Sequence, residues 1–315
     1  MQNNNYSAYN NLGGTMKRLL FLIVSIMLIL ILMACSSELR FSYELNKKIN
    51  IMRGSEDAEL TSEQFLKEIS DVDIIFVGEI HSDSVTHVFE YELLKNIYTK
   101  YNKLAVALEM FERDVQTVLN KYLAEEISET EFLEQSRPWN NYQTAYKPIV
   151  DFARANQLPV LAMNVPRRYA NKVAMMGERA LNTIPDSEKK WIAEELKCLE
   201  GAYKEKFMKQ MGGEQKPGPM ARFSPENLYK AQCLKDDTMA ESISDFLKEH
   251  PGYKVIAFQG KFHVENGLGL AKKLNILKPE LKQKIAVCIP AKDLNSVNFD
   301  NHRDKGDYLV FISDN

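Results

Sequence analysis

Six short apolar runs punctuate the chain: DIIFV at 73–77, LAVAL at 104–108, PVLAM at 159–163, KVIAF at 254–258, KIAVC at 284–288 and YLVFI at 308–312. None shows the polar alternation of a half-solvated strand, so each reads as a strand buried on both faces of a parallel sheet. Stretches of helical periodicity separate the first three. The runs therefore predict βαβ units and an α/β fold, a mostly parallel β-sheet flanked by helices. Ahead of them, Thr61 and Gln64 in LTSEQFLKEI form a capping box that opens a first helix.

The interval between PVLAM and KVIAF is much longer than the others and strongly helical. In WIAEELKCLEGAYKEKFMKQM, Ile192, Leu196, Leu199, Tyr203, Phe207 and Met211 fall at three- and four-residue steps, predicting one amphipathic helix. GGEQKPGP breaks it, and Ser224-Pro225 reads as the N-cap and first position of a second helix. The pattern predicts a helical insertion over about 166–250 inside a domain running from 61 to 315.

The N-terminal third of a hundred residues has another character. Residues 1–15 are polar and Asn-rich; Met16, Lys17 and Arg18 then precede an uncharged apolar run from Leu19 to Met33. That order is a secretory signal, expected over residues 1–34 with Met16 as the initiator. Leu32-Met33-Ala34-Cys35 is similar to the bacterial lipobox, which makes Cys35 the expected lipidation site, palmitate included, and 35–60 the lipidated N-terminus and tether. The alternative is an uncleaved anchor over Leu19–Ser37. Either way the expected location is the bacterial cell envelope, held to a membrane, with the outer membrane as destination.

The net charge of −3 and the lack of a basic cluster exclude nucleic acid as a partner. Cys198, Cys233 and Cys288 show no CxxC or Cys/His spacing and are expected as free, buried thiols.

Ligands of open α/β sheets bind at the carboxyl ends of the strands. Gly78, Glu79 and His81 follow the first run, Glu109 and Arg113 the second, Asn164 and Arg167 the third, and Gln259, Gly260 and His263 the fourth. His87 lies six residues beyond His81. Gathering so many ionisable groups on one rim is costly unless a ligand or a reaction uses them. Two histidines and two carboxylates suit a divalent metal such as zinc, or a hydrolytic centre built from Glu79, His81, Glu109 and His263. Trp139, Tyr142 and Tyr146 share one helix face: Trp139 is expected in the core, and a tyrosine at the crevice mouth could give a phenolate to ferric iron.

GEIHSDSVTH, ALEMFERDVQ, the Trp139–Pro148 stretch with YKPIVDFA, LAMNVPRR, KAQCLKDDTMAESI and FQGKFHVENGLGLAKKL occur in this order. The set resembles the ChaN-like haem-binding lipoproteins, within the superfamily that includes erythromycin-esterase-like and Tiki/TraB proteins. The resemblance implies an α/β fold with a helical subdomain, haem as ligand, a role in haem or iron uptake, a homodimer enclosing haem, and an outer-membrane haem receptor as partner. It makes Gly78, Glu79, His81, His87, Glu109, Arg113, Asn164, Arg167, Gly260 and His263 the ligand-site residues, with Tyr142 and Tyr146 as iron candidates. Two departures stand out: Ser82-Asp83-Ser84 replaces an Asp-Asn-Pro run, and Glu90 sits where glutamine is frequent. Two functions remain open on the sequence, haem capture and Glu/His-dependent hydrolysis of a peptide, ester or lactone.

Overall fold

The computed structural model describes residues 39–212 and 223–313, which apart from Leu39 belong to one compact unit. The expected signal segment, Met16 and Cys35 lie outside the described residues. Among the described residues no helix is long and apolar enough to cross a membrane.

Eight strands form one sheet: β1 (Ile49–Arg53), β2 (Glu59–Leu60), β3 (Ile74–Glu79), β4 (Leu104–Glu112), β5 (Val160–Asn164), β6 (Lys254–Gly260), β7 (Gln283–Ala291) and β8 (Tyr308–Ser313). Their order is β2-β1-β8-β7-β3-β6-β4-β5. All six predicted runs are strands, and every pairing from β8 to β5 is parallel. The antiparallel β1 and β2, which no apolar run announced, extend one edge through β8. At the other edge the Gln116 side chain stands in for a missing neighbour: it donates to the Val160 carbonyl and accepts from the Ala162 N–H.

The helices are α1 (Tyr43–Asn46), α2 (Ser62–Ser70), α3 (Ser84–Tyr98), α4 (Gln116–Leu123), α5 (Glu129–Ser136), α6 (Tyr142–Ala145), α7 (Lys147–Ala155), α8 (Arg167–Met176), α9 (Ala202–Gly212), α10 (Pro225–Glu249) and α11 (Gly269–Leu277). Thr61 and Gln64 do make the capping box of α2. Alternate strand residues serve opposite faces. Ile74, Phe76, Ala105, Ala107, Val255 and Ala257 pack with Met239 and Ile243 of α10 and Leu270 and Leu274 of α11 in one core cluster. Their neighbours Ile75, Val77, Val106, Leu108, Ile256 and Phe258 are buried as well, which is why the runs carry no polar alternation.

Between β5 and β6 a second apolar cluster joins Tyr169 and Val173 of α8, Tyr203 and Phe207 of α9, and Leu228, Tyr229 and Cys233 of α10. α10 thus serves the sheet core with one face and this cluster with another. Here the single helix expected from Ile192 onward is corrected: only Ala202–Gly212 is helical. Residues 192–201 run as a strap beside α10, whose side chains take the amide hydrogens that a helix would give to its own carbonyls. Ala193 N–H donates to Thr238 Oγ1 at 3.1 Å, Glu194 N–H to Glu241 Oε2 at 2.9 Å and Lys197 N–H to Asp237 Oδ2 at 2.8 Å. The same strap overturns the expectation of three free thiols. Cys198 is disulfide-bonded to Cys233 of α10, 35 residues away, a pairing set by tertiary packing and invisible in spacing. Cys288 alone is free and buried among the described residues.

Candidate functional site

β3, β6 and β4 lie side by side, so their carboxyl ends deliver Glu79, Gly260 and Glu109 to one place. Glu79 is paired in register with Gly260. Strand alternation sends the two carboxylates to opposite faces. Glu79 meets α3 and the start of α7; Glu109 meets α10. Two glycines permit the close approach: a Cβ on Gly78 would lie 2.9 Å from Lys261 Cα, and one on Gly260 would lie 2.7 Å from His81 Nε2.

On the α10 side, His263 is held between two carboxylates. Its Nδ1 lies 2.5 Å from Asp236 Oδ1 and its Nε2 3.3 Å from Glu109 Oε1. Asp236 also accepts from Tyr203 Oη at 2.5 Å, and Glu109 accepts the Gly260 N–H at 2.8 Å. Burial alone would lower the imidazole pKa, but attraction by Glu109 and Asp236 outweighs it and raises His263 to about 10. Burial would raise the Glu109 carboxyl; the His263 charge and hydrogen bond instead hold it far below the usual range. The two carboxylates thus favour the charged imidazole, in which both nitrogens carry hydrogens and neither offers a lone pair.

On the α3 side, Glu79 Oε1 accepts from Tyr146 Oη at 2.7 Å and bonds His81 Nδ1. Burial opposes the charged imidazole, but Glu79 and Glu109 raise the His81 pKa above its ordinary value. The His81 side chain is 41% exposed, against 7% for His263. Its backbone is pinned, since the His81 carbonyl accepts from Asn141 Nδ2 at 2.8 Å and faces His87 Nε2 at 3.2 Å. His87 is buried behind it, with Nδ1 3.0 Å from Glu90 Oε2.

The indole of Trp139 meets His81 edge to face, with ring centroids 4.9 Å apart. Trp139 is not in the core as expected: it is half-buried and lines a cleft of about 660 Å³ with Arg137, Asn140, Asn141, Glu112, Arg167 and Arg168. Arg137 and Arg168 both pair with Asp114. Arg167 is exposed, and its side chain makes no ion pair or hydrogen bond among the described residues.

The other expected site residues are placed as follows. Arg113 does not face the rim; its guanidinium ties β4 to α10 and the strap through Ser242 Oγ (2.7 Å), Glu241 Oε1 (2.9 Å) and the carbonyls of Thr238 (2.7 Å) and Ile192 (3.2 Å). Asn164 is buried and braces the Glu109 carbonyl at 3.0 Å. Tyr142 is 2% exposed and Tyr146 0% exposed, and burial above all raises both phenols above the ordinary range. Sequence reasoning missed Asp236, Tyr203 and Gln232, whose Nε2 lies 3.1 Å from His263 Nδ1. They come from helices between β5 and β6, where a strand-end rule does not look; the available signal was the polar pair Gln232 and Asp236, four residues apart on the face that also buries Tyr229 and Cys233.

Residues 65–274 match the family model described as haem-binding uptake, Tiki superfamily, ChaN, and the chain belongs to that family. Among solved structures, ChaN of Campylobacter jejuni, reported with cofacial haem binding, is similar at a TM-score of 0.63 and 17% identity over 85% of this chain and 98% of that one. A Bacillus cereus protein aligns at a TM-score of 0.48 and 11% identity, covering 86% and 96% of the two chains. A mutant of the erythromycin esterase EreC in its open conformation aligns at 0.45 and 11% identity, covering 77% of each chain. No curated protein matches the chain in sequence. The C. jejuni likeness is one of fold.

Proposed function

We propose that the protein binds haem as the cargo of a haem- or iron-uptake process at the bacterial cell surface. The observation that carries this is the pairing of an accessible imidazole with a flat aromatic wall. His81 is half-exposed against Trp139, whose indole lines the neighbouring cleft, and there Arg167, unpaired among the described residues, suits a propionate. The donor chemistry fits: haem iron takes imidazole, and a ligating histidine usually gives its other ring nitrogen to a carboxylate, the role Glu79 fills for His81 Nδ1. The tyrosines suit the iron less well, because Tyr142 and Tyr146 are enclosed and their phenols are held protonated. His81 is thus the preferred axial donor.

Cofacial haem, named for the C. jejuni relative, would place a second protomer over the open cleft as the simplest cover. A lipid anchor at Cys35, an outer-membrane location and a haem receptor as partner complete the reading. The Cys198–Cys233 disulfide supports it, since such bonds persist in oxidising compartments such as the cell envelope. The metal alternative loses ground because His263, one of its two histidines, sits between two carboxylates that favour its charged form.

Titrating the purified lipid-free protein with hemin tests the reading. A saturable Soret shift that His81→Ala abolishes is expected. The same shift surviving in His81→Ala but vanishing in Tyr146→Phe would move the iron to tyrosine, and no shift in the wild type would end the haem reading. Sedimentation with and without hemin tests the dimer, and intact mass after Cys35→Ala tests the anchor.

A further inference from the structure

Behind His81, the end of β3 and the first two turns of α3 bring three donor groups together. Glu79 is 2% exposed, Glu90 0% and His87 7%. One donor atom from each lies within 4.8 Å of the other two, and among the described residues this is the one place where three such groups converge. His87 and Glu90 share a face of α3, three residues apart, against the strand end that carries Glu79. The cluster shares Glu79 with the strand-end set but takes neither His81 nor His263. Its internal hydrogen bonds leave two acceptors bare. Glu79 Oε1 is used by Tyr146 Oη and His81 Nδ1, but Glu79 Oε2 and Glu90 Oε1, both buried, have no partner among the described residues. His87 Nε2 lies 3.2 Å from the His81 carbonyl, which can only accept, so that nitrogen carries a ring hydrogen; Nδ1 lies 3.0 Å from Glu90 Oε2. A hydrogen on Nδ1 or on Glu90 joins only that one pair of atoms. Glu79 Oε2 and Glu90 Oε1 remain bare, two buried acceptors with nothing to accept. A single cation reaches all three side chains at once, and a charge of two balances both carboxylates.

We propose that Glu79, His87 and Glu90 bind a divalent transition-metal cation. One imidazole nitrogen with two carboxylate oxygens is a donor set suited to zinc or manganese. Bonds of about 2.0–2.2 Å place opposed donors roughly 4.4 Å apart at most, so the cluster needs only a small contraction to close on the ion. His87 already has the outer partner typical of a metal-bound histidine, because its second nitrogen donates to a backbone carbonyl. That carbonyl belongs to His81, and Glu79 Oε1 bonds the His81 ring. The cation therefore ties both the backbone and the side chain of His81 to α3 through its own ligands. The site stands without the haem reading; any effect on haem affinity rests on that reading.

The test uses haem-free protein stripped with chelator and titrated with Zn2+. The wild type should take up one equivalent and melt at a higher temperature as it does so, because the ion binds the folded chain. Glu90→Gln, nearly the same shape, should fold and bind Zn2+ at least about a hundredfold more weakly, a larger loss than removing an outer partner of a ligand causes. His81→Ala should keep the uptake, since its ring is not a ligand here. Loss of the ion in His81→Ala would overturn the proposal by moving the metal to the strand-end residues. No Zn2+ uptake by the wild type, the result expected if a hydrogen joins Glu90 to His87, would overturn it as well. Anomalous scattering at the zinc edge from crystals of the loaded protein needs no variant: a peak among Glu79, His87 and Glu90 is expected, and a peak elsewhere overturns the assignment. Zn2+ bound at these residues in a wild type that gives no Soret shift with hemin would uphold the site and strike the haem reading alone.

Discussion

The chain uses one local pattern twice, Gly78-Glu-Ile-His81 after β3 and Gly260-Lys-Phe-His263 after β6, and the two histidines end in opposite circumstances. His263 is enclosed by Glu109 and Asp236 and spends both nitrogens inside the protein. His81 leans on one buried carboxylate and keeps its other edge toward solvent and Trp139. The difference lies in what covers each strand end. α10 closes over His263 with an acidic residue, whereas α6 and the turn before it leave an open cleft beside His81. A motif therefore delivers a side chain to the rim, and its neighbours decide whether it is enclosed or left accessible.

The largest expected effect comes from breaking the enclosed side. His263→Gln leaves two buried carboxylates without their cation and should destabilise the fold by about 3–5 kcal/mol, read from denaturant unfolding. The wild type should also show an alkaline signature. His263 has a folded pKa of about 10 against an ordinary 6.5, so its contribution is full below the lower value and is lost as pH rises toward the upper. Melting temperature should fall over that window in the wild type and stay flatter in His263→Gln. A flat wild-type profile would refute the ion triad.

Tyr146→Phe should follow in size, because it deletes a hydrogen bond to the buried charged Glu79 and costs about 1.5–3 kcal/mol of stability. Its hemin spectrum should stay recognisable. His81→Ala inverts that profile: little loss of stability, since the side chain is 41% exposed, but at least about tenfold weaker hemin binding. Were His81→Ala and His263→Gln equally destabilising, the contrast between them would collapse. Arg167→Ala is the gentlest change, lowering hemin affinity by only about 1 kcal/mol or less as an exposed charge contact should, with an effect that fades in high salt.

The six parallel strands were legible because burial on both faces leaves an uninterrupted apolar run. β1 and β2 were not, because INIMR alternates around Asn50 and β2 is two residues long, too short for any period. The strand-end rule found Glu79, His81, Glu109 and His263, which the fold does bring together. It also proposed Arg113, whose four internal hydrogen bonds come from a helix and strap that no strand pattern foretells. Asp236 escaped for the same reason. Residues 192–201 misled through periodicity itself. Ile192, Leu196 and Leu199 all pack against one cluster although their segment is not helical, so the spacing reported a shared partner and not a helix.

That strap also sets an order of events. Residues 192–201 precede in the chain the acceptors of their amide hydrogens, Thr238, Asp237 and Glu241, which all lie on α10. Until α10 is complete, this part of the chain has no stable resting place, and Cys198 has no partner within reach. The strap's amide hydrogen bonds therefore depend on a later helix being in place beside an earlier segment. The loop-closure entropy of bringing the two together falls due before their contacts form. The same helix supplies Asp236 to His263, so the strap and the closed half of the rim depend on one element.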